Sequence, residues 1–198
     1  MNKAIIIALI KILISIVALA YIGYFILGLF QDYLGSNPVE VVTHKTGEWG
    51  LYFLFAALAV TPLRRHFQWN SLQRFRRFLG LWSFTFIFLH FFTFILFDHF
   101  FDWWSIVEDI IERPYITVGF AAFIFMLPLA VTSLQYFQRM MGKRWLMLHR
   151  SVYVVGILGI IHYLWLVKAD ILEPLIYGLV LVVLLGDRVY WIMKKRVR

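Results

Sequence analysis

No cysteine occurs in the 198 residues. That excludes thiolate-bound iron–sulfur clusters, haem attached through C-x-x-C-H, and disulfides. Charge is scarce at 15%, and acids are scarcer than bases, 11 against 19. No G-x-G-x-x-G or Walker sequence is present, and no polar stretch is long enough for a nucleotide-binding domain. If the chain moves electrons, both the first donor and the final acceptor are other molecules.

What is present is apolar. The chain is 62% hydrophobic, with a mean hydropathy of +0.79. A soluble domain has a lower apolar share. The apolar runs are continuous, which predicts membrane-spanning helices rather than a barrel. The expected fold class is all-α, a polytopic membrane protein forming one domain over 1–198. The net charge of +8 comes from bases in short loops, so it sets topology and does not signal nucleic acid.

A span needs roughly 20 apolar residues. The first runs from Ala4 to Phe30, with Lys11 snorkelling to the headgroups. Ala18 and Ala20 form an A-x-A cleavage pattern, but the apolar run continues too far beyond it for a signal peptide. Gln31 to Trp49 reads as a polar connector with Asp32, Glu40 and Glu48 against Lys45. A short second span follows from about Trp49 and stops at Pro62. Arg64 to Arg77 is the most basic stretch, and the third span is Leu79 to Phe97. Asp98 to Arg113 is acidic and holds the interfacial pair Trp103–Trp104. The fourth span runs from Pro114 to about Gln135, with a kink expected at Pro128. The fifth lies within Gly142 to Lys168, between Lys143–Arg144 and Lys168. Asp170 and Glu173 precede the sixth, about Pro174 to Trp191. Lys194, Lys195, Arg196 and Arg198 close the chain. This alternation of loop charge predicts six transmembrane helices with both termini cytoplasmic. No internal repeat is evident.

Ionisable residues inside a bilayer are costly and invite a functional reading. The third span carries His90; the fifth carries His149 and His162. Histidines in lipid without a nearby carboxylate point to metal or haem ligation before acid–base work. His90 and His162 come out at similar depth, so one haem between the two spans with an axial histidine from each is reasonable. Such an iron is six-coordinate, which suits electron transfer. His149 lies about 20 Å further in along an ideal helix. It suggests a second haem with an unassigned sixth ligand, or a propionate site built around arginines. Arg77 stands near the level of the missing partner. Thirteen residues do not return to one helix face, so either a distortion or π-bulge at Gly156 and Gly159 aligns His149 with His162, or the two address different neighbours. His44, His66 and His99 read as surface residues. The rival reading is a proton-coupled transporter or channel using intramembrane histidines. It usually needs Asp or Glu in the relay, and the central parts of the spans lack both.

LGLW at Leu79–Trp82 with His90 following, RPYITVG at Arg113–Gly119, GKRWLMLHRSVY at Gly142–Tyr153, HYLWLVK at His162–Lys168 and PLIYG at Pro174–Gly178 resemble the MsrQ (formerly YedZ) family. NPVEVVTHKTG and TPLRR also match. More distantly the chain is similar to the ferric reductase-like transmembrane domain. The resemblance implies a b-type cytochrome of the bacterial inner (cytoplasmic) membrane, an electron-transfer subunit rather than a catalytic one. It implies one haem b, or two, on His90, His149 and His162. It also implies electrons from the quinone pool or a cytoplasmic flavin reductase, and delivery to MsrP, a periplasmic molybdopterin methionine sulfoxide reductase. FMN is implied by the resemblance alone, without a motif in these residues. The fourth histidine of the wider pattern is absent, with Arg77 near its place.

Overall fold

A computed structural model describes residues 3–31, 33–167 and 171–196. Asp32, Lys168, Asp170 and Arg198, named above for loop charge, lie outside the described residues. No strand occurs among the described residues. The long helices are α1 (Lys3–Gln31), α2 (Pro38–Phe67), α3 (Gln73–Thr93), α5 (Pro114–Val131), α8 (Val152–Leu166) and α9 (Leu172–Arg196). Shorter ones are α4 (Trp103–Glu112), α6 (Gln135–Met141) and α7 (Lys143–Leu148).

The protein is a multi-pass membrane protein. Five segments are long and apolar enough to cross a bilayer: Lys3–Gln31, Asn70–Asp98, Pro114–Val131, Lys143–Leu166 and Leu172–Lys195. α2, at 30 residues, is also long enough but is not among these five. α1 and α9 show why a membrane is needed. Leu13 of α1 is 61% exposed and Val182 of α9 is 66% exposed, apolar surfaces suited to lipid.

α2 differs most from expectation. The polar connector is largely helix, because Asn37 caps it. Its Oδ1 accepts from the Glu40 amide at 3.3 Å, its Nδ2 donates to the Glu40 carboxylate at 2.8 Å, and Pro38 opens the helix. Nor does Pro62 end it. Proline removes one hydrogen bond, the one to the carbonyl four residues back. That carbonyl belongs to Leu58, and Arg188 of α9 donates to it at 3.1 Å. The helix therefore continues to Phe67. Pro128 instead lies one turn before the end of α5, which stops at Val131 rather than at Gln135.

α2 and α3 form a tight antiparallel pair, as do α5 and α8. Ser83 of α3 is fully buried and donates to the Gly50 carbonyl of α2 at 2.8 Å. The apolar core between the pairs contains Leu54, Phe55, Leu58, Met126, Leu129 and Val155. The fifth span is irregular at its start rather than at its glycines, and His149 and His162 address different neighbours. The irregularity is a 3₁₀ turn over His149–Ser151, between α7 and α8. Gly156 and Gly159 admit Leu181 and Leu51 instead, at 3.1 and 3.3 Å from an added Cβ. The π turn lies in the other histidine-bearing segment, at Phe94–Asp98. Lys11 places its ammonium over the rings of Phe75 and Phe78, at 5.7 and 5.5 Å.

One end of the bundle is basic and the other acidic. At the basic end Asp187 of α9 pairs with His66 at 2.9 Å and with Arg65 at 3.5 Å, the latter an ion pair without hydrogen-bond geometry. At the acidic end α4 buries Ile106 and leaves Trp104 86% exposed.

Candidate functional site

His90 of α3 and His162 of α8 face one cavity of about 380 Å³ between the two helix pairs. Their ring centroids are 6.0 Å apart, with the planes at 74°. The two rings are held in the same way. His90 Nδ1–H donates to the Thr43 carbonyl of α2 at 2.8 Å, and His162 Nδ1–H donates to the Tyr115 carbonyl of α5 at 2.7 Å. Each bond spans 47 residues of chain. Four residues beyond each carbonyl stands a glycine, Gly47 or Gly119. A Cβ on Gly47 would lie 3.2 Å from His90 Nδ1, and one on Gly119 would lie 2.7 Å from His162 Nδ1. At Gly119 a side chain would force the imidazole to move, and at Gly47 it would press on the ring. The chain thus contains a repeated helix-pair arrangement that its letters do not show.

With Nδ1 committed to a carbonyl, Nε2 is the nitrogen left to each ring. This arrangement fixes tautomer and orientation in ligating histidines. A porphyrin fits here on the observed geometry. Metal–imidazole bonds of ~2 Å would set two ligating rings about 6 Å apart between centres, and the cavity around the two histidines is largely apolar. Phe91 and Phe123 pack at 4.5 Å beside the histidines.

A second cavity, about 420 Å³, adjoins the first through Leu54 and Met126. It is lined by His149, Trp145, Arg76, Arg77, Gln73 and Gln138, among others. His149 is held differently. Thr132 Oγ1–H donates to the Pro128 carbonyl at 2.6 Å, so at 3.0 Å the hydroxyl accepts from His149 Nε2–H. The free nitrogen is then Nδ1. Trp145 stacks on the ring at 3.9 Å. The structure therefore brings His90 and His162 together and keeps His149 apart from both.

Of the three histidines expected at the surface, His66 is exposed, and His44 is exposed while lining the mouth of the first cavity. His99 departs from expectation. It is 9% exposed, with Nδ1 at 2.8 Å from Ser105 Oγ and Nε2 at 3.3 Å from Asp109. Asp109 in turn meets Arg113 Nε at 3.1 Å. Tyr115 foremost, and also Asp109, raise the pKa of Arg113 above its already high value. Sequence reasoning missed Thr43, Gly47, Tyr115 and Gly119 as supports of the ring pair. The shared 47-residue spacing was the available signal. It also missed Arg188, which donates to Tyr153 Oη at 2.7 Å as well as to Leu58.

A helical membrane bundle with paired imidazoles across an apolar cavity defines a ferric reductase-like membrane protein. Residues 46–160 match the family described as "Ferric reductase like transmembrane component". Over 191 residues the chain is 50% identical to the protein-methionine-sulfoxide reductase heme-binding subunit MsrQ of Herminiimonas arsenicoxydans, covering 95% of this chain and 88% of the relative. The MsrQ of Azospira oryzae is 52% identical over 82% of this chain and 70% of its own length. The MsrQ of Rhodospirillum rubrum is 48% identical over 82% and 79%. The chain belongs to the MsrQ family. No solved structure matches it.

Proposed function

We propose that the chain is the haem-bearing electron-transfer subunit of a bacterial methionine sulfoxide reductase system. It carries electrons through the inner membrane to MsrP, the periplasmic molybdopterin reductase that repairs oxidised methionine. Family membership supports the system, and the relatives named above are described as heme-binding subunits. The observation that carries the reading is the His90–His162 pair, 6.0 Å apart and identically tethered. Two histidines are too few for a protein-only metal site, but they make a complete axial pair for a haem b.

α2 is the sixth crossing, and both termini are cytoplasmic. The basic end, with Arg64, Arg65, Arg74, Arg76 and Arg77, then faces the cytoplasm. His90 and His162 lie toward the periplasmic side, and His149 lies toward the donor side, where the quinone pool or a cytoplasmic flavin reductase supplies electrons. His149 is the one histidine of a second, inner haem site. Arg76 and Arg77 there present the charge that a haem propionate or an FMN phosphate requires.

When bound, haem supplies the one-electron couple. The protein supplies the rest. Thr43 and Tyr115 hold Nδ1–H, orienting Nε2 and raising its basicity. Gly47 and Gly119 let the rings seat against the backbone. The phenylalanine walls keep water out, one of the influences that set the potential of such a centre. Purified protein expressed with sufficient haem is expected to show a b-type Soret band and a low-spin bis-imidazole signal in electron paramagnetic resonance. A folded but colourless preparation would sink the reading.

A further inference from the structure

The His90–His162 cavity is apolar along its depth and polar at one end, where Asn37, Glu40, His44, Asp98, Asp109 and Arg113 line it. Among these described lining residues Arg113 is the only lysine or arginine. A haem b would bring two carboxylates to a rim that already holds Glu40, Asp98 and Asp109. Such a rim needs a cation, and one is present in a suitable arrangement. Arg113 Nε lies 3.1 Å from Asp109 and the Tyr115 side chain also bonds the guanidinium, yet the Arg113 side chain is 53% exposed. With five N–H donors, the guanidinium keeps donors for a second carboxylate. Buried His99 Nε2 lies 3.3 Å from the other oxygen of Asp109, without hydrogen-bond geometry. Arg113 also stands two residues before Tyr115, whose carbonyl tethers His162.

We propose that Arg113 receives a propionate of the haem held by His90 and His162. One short segment, Arg113 to Gly119, then sets the cation, the axial-ligand tether and the glycine beside the ring. The inference rests on the haem reading above, and its test separates the two.

Full-length haem-free protein carrying His149→Ala, so that the outer site alone is read, is titrated with haem b and with haem b dimethyl ester, following the Soret band. With Arg113 intact, haem b is expected to bind about tenfold more tightly than the ester, because only the free acid offers carboxylates. Adding Arg113→Gln removes this preference, weakening haem b about tenfold and leaving the ester unchanged. Arg113→Lys restores part of it. Equal affinity for the two macrocycles with Arg113 intact overturns the proposal, and this arm needs no Arg113 variant to fold. Equal weakening of both by Arg113→Gln also overturns it. The absence of a Soret band with either macrocycle overturns the haem reading itself.

Discussion

The α2–α3 pair and the α5–α8 pair do the same thing with almost no letters in common. In each, a histidine donates Nδ1–H to a carbonyl 47 residues earlier and rests against a glycine one turn past that carbonyl. Toward the basic end the likeness breaks. His149 precedes His162 by thirteen residues, and the residue thirteen before His90 is Arg77. The outer cavity thus has two matched imidazoles with Nε2 free. The inner one has a single imidazole with Nε2 taken by Thr132, and arginines opposite. The same scaffold, used twice, gives a symmetric site where both pairs supply histidine and an asymmetric one where only one pair does.

The sharpest way to break this comparison is His90→Ala or His162→Ala. Either variant is expected to abolish the low-spin bis-imidazole signal and most of the outer-site Soret absorption. If one removed the signal and the other did not, the pair would not share an iron. His149→Ala should instead cut the haem-to-protein ratio roughly in half, leaving the bis-imidazole signal in place. A pyridine haemochrome assay with protein quantification checks this, and an unchanged ratio would confine haem to the outer cavity.

Smaller effects test the supports. Gly119→Ala drives a methyl to 2.7 Å from His162 Nδ1, whereas Gly47→Ala places one at 3.2 Å from His90. We expect haem affinity to fall about ten- to a hundredfold for Gly119→Ala, in the range of outer-shell mutations at metal sites. The fall should be only a fewfold for Gly47→Ala, both read by Soret titration. The reverse order would mean that His90 is the more tightly packed ring. Thr132→Val is the mildest change. Losing one hydrogen bond on His149 costs about 1 kcal/mol. It should weaken the inner site roughly fivefold and leave the outer spectrum untouched.

Much of this was legible in the letters, for a physical reason. In lipid every backbone group must bond within its own helix, so apolar runs become helices whatever their neighbours do. The histidines stood out because ionisable groups are rare in such runs. Pro62 misled, since the cost of a proline depends on whether another group satisfies the carbonyl it frees. Arg188, far along the chain, does so. His99 misled in the same manner. Its position in the acidic stretch after Asp98 suggested solvent, but Ser105 and Asp109 of α4 lie against it.

By itself the sequence determined the helical membrane class, the charge of each loop and the three intramembrane histidines, because hydropathy and charge act locally. Only the tertiary structure decided which histidines face one another, which nitrogen each keeps free and which glycines make room. Those outcomes depend on carbonyls 47 residues away and on how closely two helices approach, and no local property of the chain encodes either.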